Sequence, residues 1–155
     1  VTSAAVNVHA TAVVLGTQGF LFVGPSASGK TMLALTCLTA ARNAGLFAAL
    51  VSDDQVLISV CNGRVIARRP ASIADLAEIR GAGIVTIETI SAAVIDCAIL
   101  PVKPPFEPRL PPENERFSLP SGDFLPLHRL PLAEGLNSFE ILRRILPQNA
   151  DFQGH

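Results

Sequence analysis

Eight residues, Gly24 to Thr31, constrain this chain more than anything else in it. GPSASGKT satisfies G-x-x-x-x-G-K-[ST] and lies between an apolar run, GFLFVG at 19–24, and a run of helix formers that meets Gly45 where a C-cap would lie. A match of this kind arises by chance in about one chain of this length in two hundred from residue usage alone, so the strand-loop-helix context carries much of the weight. In such a loop glycine lets backbone N–H groups turn inward around phosphate oxygens, and the helix start adds positive potential. Gly24, Pro25, Ser26, Ala27, Ser28, Gly29, Lys30 and Thr31 are therefore candidate nucleotide-binding residues. Lys30 would reach the β- and γ-phosphates of ATP, and the Thr31 hydroxyl would face Mg2+.

The charge distribution agrees with an interior role for this half of the chain. Only Lys30 and Arg42 are charged between residues 1 and 52, and the whole chain is 16% charged against an average of about 25%. The uncharged stretch is interrupted by Asn7, His9, Gly16, Gln18 and Pro25, and it holds no unbroken apolar run of about 18 residues, so no membrane span is expected. No basic segment precedes an apolar one in the manner of a signal peptide, and a cytoplasmic location is expected. A net charge of -1 with no basic run leaves no electrostatic footprint for nucleic acid. Cys37, Cys61 and Cys97 are odd in number and lack CxxC spacing, which predicts buried free thiols.

Length predicts one domain over 1–147, with a core at 8–100, a proline-rich arm at 101–131, a C-terminal helix at 138–146 and a tail at 148–155. Strands are expected at 8–16 and 19–24, a buried central strand at 46–52, and a hairpin at 55–69 turned by Asn62-Gly63. Ser72 and Asp75 have the spacing of a capping box, which predicts a short helix over 71–80, followed by strands at 84–90 and 92–100. Nine prolines between Pro101 and Pro131 argue for an extended arm or linker, with Phe106, Phe117 and Phe124 available for burial. Ser138 is the expected N-cap of the last helix, and Pro147 its end.

Asp53 and Asp54 close the apolar run at 46–52, the place where a phosphate-binding fold needs an acid. Adjacent residues of an extended chain point to opposite sides, so one carboxylate can face a metal and the other a hydroxyl to be phosphorylated. An acidic turn ahead of the hairpin is the plainer alternative. Glu78 and Arg80 suit a second metal-side carboxylate and a phosphate clamp, although usage alone would make each a solvated helical charge.

With His9 ahead of the loop and ADLAEIRGAGIVTI at 74–87, these residues resemble the catalytic domain of HPr kinase/phosphorylase in a short form without the N-terminal domain. The resemblance covers residues from about 8 to about 100 and implies a P-loop α/β kinase domain with a mixed, strand-rich central sheet and few flanking helices. It implies that Thr31 and Glu78 hold Mg2+, that Asp54 is the base toward a serine of an HPr-like phosphocarrier, and that His9, Lys30 and Asp53 belong to the same site. It also implies reverse use of inorganic phosphate with release of pyrophosphate, and assembly as a hexamer. An arginine that the family places later in its active site falls on Arg116, in NERFSL. Met32 stands where the family commonly has glutamate, and LPLAEGLN at 130–137 where it has an arginine-containing loop. A small-molecule kinase of related fold and a nucleotide-sensing adaptor are the rival expectations.

Overall fold

The computed structural model describes residues 3–146. Twelve strands and two helices in this span form three layers. The central layer is a six-stranded mixed sheet in the order β11-β12-β10-β3-β2-β4. Its members are β2 (Thr11–Leu15), β3 (Gln18–Phe22), β4 (Ala48–Ser52), β10 (Cys97–Val102), β11 (Arg116–Ser118) and β12 (Phe124–Pro131). β10 runs parallel to β3 and β12, and the remaining pairs are antiparallel.

Alternation along the strands divides the core in two. Val13, Leu15, Phe20 and Phe22 face α1 (Lys30–Asn43) and α2 (Ser138–Ile145), where Leu33, Leu38, Phe139 and Leu142 meet them. Ala12, Leu21 and Val23 face the second sheet, in the order β1-β5-β6-β9, and pack with Ile58, Val65 and Ile95. That sheet comprises β1 (Val6–Val8), β5 (Val56–Cys61), β6 (Arg64–Arg68) and β9 (Ala92–Ile95). β7 (Leu76–Ile79) and β8 (Gly83–Thr86) form a separate hairpin.

Helix α1 buries Leu33, Ala34, Cys37, Leu38 and Ala41, a single apolar stripe, and ends as expected just before Gly45. The Asn62-Gly63 hairpin forms with both residues at positive φ. Cys37 and Cys97 are buried, and burial pushes both thiols up to about 12; Cys61 is half-buried.

Several expected elements differ. The run at 8–16 divides at His9, because β1 joins the second sheet while β2 enters the first. The run at 92–100 divides likewise at Asp96. The strand expected at 46–52 forms over Ala48–Ser52 alone, all five residues buried, with Phe47 exposed ahead of it; it lies at the sheet edge, where Leu50 bridges Thr89. The predicted helix over 71–80 is a 3-10 turn at 71–73 followed by β7. Asp75 sits at φ 61, which stops a helix, and pairing with β8 overrides the helix propensity of the segment.

The proline-rich segment is no linker, since it supplies β11 and the long β12, an interior strand. Pro126 lies just ahead of the parallel ladder that starts at Leu127, and Pro131 ends it, so neither interrupts the ladder. Asn137, not Ser138, caps α2, its side chain accepting from the Glu140 amide at 3.1 Å; Ser138 is buried within the first turn. The tail at 148–155 and Pro147 lie outside the described residues.

Candidate active site

The chain leaves β3, turns through Gly24–Gly29 and enters α1 at Lys30. Gly24 and Gly29 take φ +131 and +93, a region that glycine enters without strain. Gly29 caps α1 without a side-chain bond, and the first turn contains no acid. Within the loop, Ser28 Oγ is buried and has no hydrogen-bond partner. An uncapped helix start beside an orphaned hydroxyl is a donor set that a phosphate chain would satisfy, so these residues fit a nucleotide tail.

Lys30 is buried, and its Nζ donates to the carbonyls of Gly24 at 2.9 Å and Pro25 at 3.1 Å, with His9 Nε2 at 3.2 Å. Ser26 Oγ is 3.4 Å from the same ring nitrogen. The opposite ring nitrogen, Nδ1, lies 3.3 Å from Asp54 Oδ1, so His9 bridges the lysine and the acid. This bridge forms because His9 occupies the break between β1 and β2, where no ladder claims it.

The two acids have different surroundings. Asp53 is 6% exposed, and its Oδ1 accepts from the hydroxyls of Thr31 at 2.6 Å and Thr11 at 3.1 Å. Its Oδ2 accepts from the Glu78 amide at 3.0 Å. The Asp54 side chain is about half exposed beside His9, at φ 65. Both line a cleft of about 150 Å³ with Lys30, Thr31, Glu78 and Arg80. Glu78 and Arg80 reach it because alternation along β7 and its continuation puts residues 76, 78 and 80 on one face.

The structure thus brings together His9, Lys30, Thr31, Asp53, Asp54 and Glu78, and it does not bring Arg116 to the cleft. Arg116 lies on β11, the outermost strand, with β12 and β10 between it and β3, and its guanidinium stacks on Phe124 at 4.1 Å. Arg80 is the arginine at the cleft. Thr11 escaped the sequence reading; its one signal is a hydroxyl in an otherwise apolar strand. Lys103, whose Nζ donates to the Ala27 carbonyl at 3.4 Å, also escaped it.

Among the described residues no group of three His, Cys, Asp or Glu is placed to hold a metal by itself. Mg2+ commonly uses one or two carboxylates and completes its shell with substrate phosphates and water. The Thr31 hydroxyl, the Asp53 carboxylate it touches, and Glu78 make a donor set of that kind.

Residues 2–95 match the family model described as HPr Serine kinase C-terminal domain. The chain is 33% identical over 85 residues to the HPr kinase/phosphorylase of Mycoplasmopsis pulmonis (strain UAB CTIP), an overlap of 55% of this chain and 26% of that protein. It therefore spans about a quarter of that curated relative's length. The solved structure of the Hpr(Ser) kinase/phosphatase from Coxiella burnetii superposes with a TM-score of 0.71 at 20% identity, covering 90% of this chain and 87% of that one, a likeness of fold.

Proposed function

The chain belongs to the HPr Serine kinase C-terminal domain family, and from that premise we propose that it is an ATP- and Mg2+-dependent protein kinase acting on a serine of an HPr-like phosphocarrier. The observation that carries the reading is the convergence, on one cleft, of the lysine of a P-loop, a buried acid bonded to the loop's Thr31, and a solvent-facing acid on a histidine.

In this reading Gly24–Gly29 and the start of α1 hold the phosphate chain of ATP. Lys30 exchanges loop carbonyls for phosphate oxygens and neutralises charge there. Thr31 with Asp53, and Glu78 across the cleft, would hold Mg2+, which would neutralise phosphate charge there. Asp54 takes the serine proton as the serine oxygen bonds to the γ-phosphorus, the bond from that phosphorus to the β–γ bridging oxygen breaks, and ADP leaves. His9 holds the Asp54 carboxylate toward the acceptor, and Arg80 offers a further cation to the transferred group. The reverse step, with inorganic phosphate as acceptor and pyrophosphate as product, uses Asp54 as the acid that returns the proton.

Assembly of several copies belongs to the same proposal. Phe47, Ile84 and Leu110 are exposed apolar side chains that such an assembly would cover.

The test is incubation with Mg-ATP and the HPr homologue of the same cell, read by mass spectrometry of the acceptor. Phosphoserine formed by wild type is the expected result. ATP binding without phosphoserine would remove the kinase reading, and ADP release stimulated by a metabolite in place of HPr would move it to a small-molecule kinase.

A further inference from the structure

We infer that Thr11 is a positioning residue for phosphoryl transfer: its single hydroxyl fixes the side chain of Asp53 relative to the backbone of Asp54, and so sets the metal-side acid against the base. The inference rests on the kinase reading above and assigns a role within that site to a residue that does not line the cleft.

Thr11 opens β2, between Ala10 and Ala12 in the chain, and is fully buried. A hydroxyl in such surroundings needs partners, and both of those it has belong to the acids. Its oxygen accepts from the Asp54 amide at 3.1 Å. Because that amide can only donate, the hydroxyl proton is free for Asp53 Oδ1, also at 3.1 Å. One atom thereby connects two adjacent residues that face different ways.

The backbone is arranged around this connection. The pairing of β2 with β4 shifts between Ala12↔Ser52 and Val13↔Leu50, leaving Val51 unopposed. An extra residue at a strand end turns the chain, as bulges beside active sites commonly do. Asp54 then takes φ 65, a left-handed conformation that a non-glycine residue keeps where its surroundings over-determine it. Three consecutive residues supply the restraint. His9 meets the Asp54 carboxylate, the Ala10 amide donates to the Asp54 carbonyl at 3.1 Å, and Thr11 accepts from the Asp54 amide. Of the three, only Thr11 also holds Asp53, the acid bonded to Thr31.

Thr11→Val keeps the branched shape and removes the hydroxyl, whereas Thr11→Ser keeps the hydroxyl and removes a methyl. In transfer to the HPr homologue, Thr11→Val is expected to lower kcat about 10- to 100-fold, the usual effect of losing a group that orients a metal-side ligand, with KM for ATP within about twofold. Thr11→Ser is expected to recover most of that loss. Thr11→Ala, which puts no γ-methyl where the hydroxyl was, serves as the second variant if Thr11→Val does not fold. A hydroxyl-free variant with wild-type kcat, or a serine variant as impaired as valine at equal thermal stability, overturns the inference. Failure of wild type to phosphorylate any acceptor sinks the kinase reading and with it the transfer role, and calorimetric titration of ATP at graded Mg2+ then decides what remains of the inference, that the Thr11 hydroxyl sets Asp53 for the metal. A half-saturating Mg2+ raised about tenfold in Thr11→Val supports it, and an unchanged one overturns it.

Discussion

Asp53 and Asp54 are neighbours in sequence to which the proposed function gives opposite tasks, and the difference comes from what surrounds each carboxylate. Asp53 is enclosed by two hydroxyls and an amide, while the Asp54 carboxylate has, among the described residues, the His9 ring beside it and is about half exposed. Replacing Asp54 with Asn keeps the size and removes the proton acceptor, so kcat for transfer should fall about 10²- to 10⁴-fold with ATP affinity little changed. Transfer at the wild-type rate would remove Asp54 from the role of base. Lys30→Ala acts on the other half of the site: loss of charge-assisted bonds worth about 1.5–3 kcal/mol should weaken ATP binding roughly ten- to a hundredfold, measured by calorimetry. Lys30 and both acids were legible in the sequence because their spacing from glycines and an apolar run is local. Thr11 was not, because its partners lie 42 and 43 positions away.

The elements that sequence reading recovers are those whose signal is local in the same sense. α1 and the Asn62-Gly63 hairpin are written in short-range apolar spacing and turn chemistry. The β7–β8 hairpin was hidden because its residues favour a helix; what decides is Asp75, whose carboxylate accepts from the Thr89 amide at 2.9 Å and the Thr89 hydroxyl at 2.7 Å, with Arg69 beside it at 3.2 Å. β12 was hidden because its prolines fall where no ladder bond is needed, which only the register reveals. The clasp has a pH dependence. Thr89, by side chain and then backbone, and Arg69 hold the Asp75 carboxyl below its ordinary 3.8. A group depressed in the folded state stabilises it above the unfolded value and loses that contribution as pH falls through the folded one. Protection of the Thr89 amide against hydrogen exchange should therefore hold from neutral pH down to about 4 and decline below it. Asp75→Asn, which tolerates the same positive φ, should show lower protection at neutral pH and no such decline. Equal protection in the two proteins would mean that β8 and Thr89 are held by packing alone.

For the whole molecule, the central sheet is shared by both cores, and the loop that receives phosphate in the proposed site is the continuation of its strand β3. Sparse charge in the first half of the chain follows from this position, since β2, β3 and β4 are covered on both faces. The distance between the two sheets is set at Gly19. A methyl group there would lie 1.9 Å from the Val94 carbonyl oxygen of β9, and the Gly19 amide and carbonyl are bonded to the Asp96 carboxylate and amide, each at 2.8 Å. The obstacle is backbone, which cannot swing aside as a side chain would, so Gly19→Ala requires β3 and β9 to separate. Overpacking of this kind costs typically about 1–3 kcal/mol, and a clash with main chain belongs at the upper end. A urea midpoint lowered by at least about 2 kcal/mol equivalent is expected, with an unaltered m-value if only the native state is affected. An unchanged midpoint would show that the two sheets can slide apart freely, and the placement of the phosphate loop would then have to come from the helix side of the sheet alone.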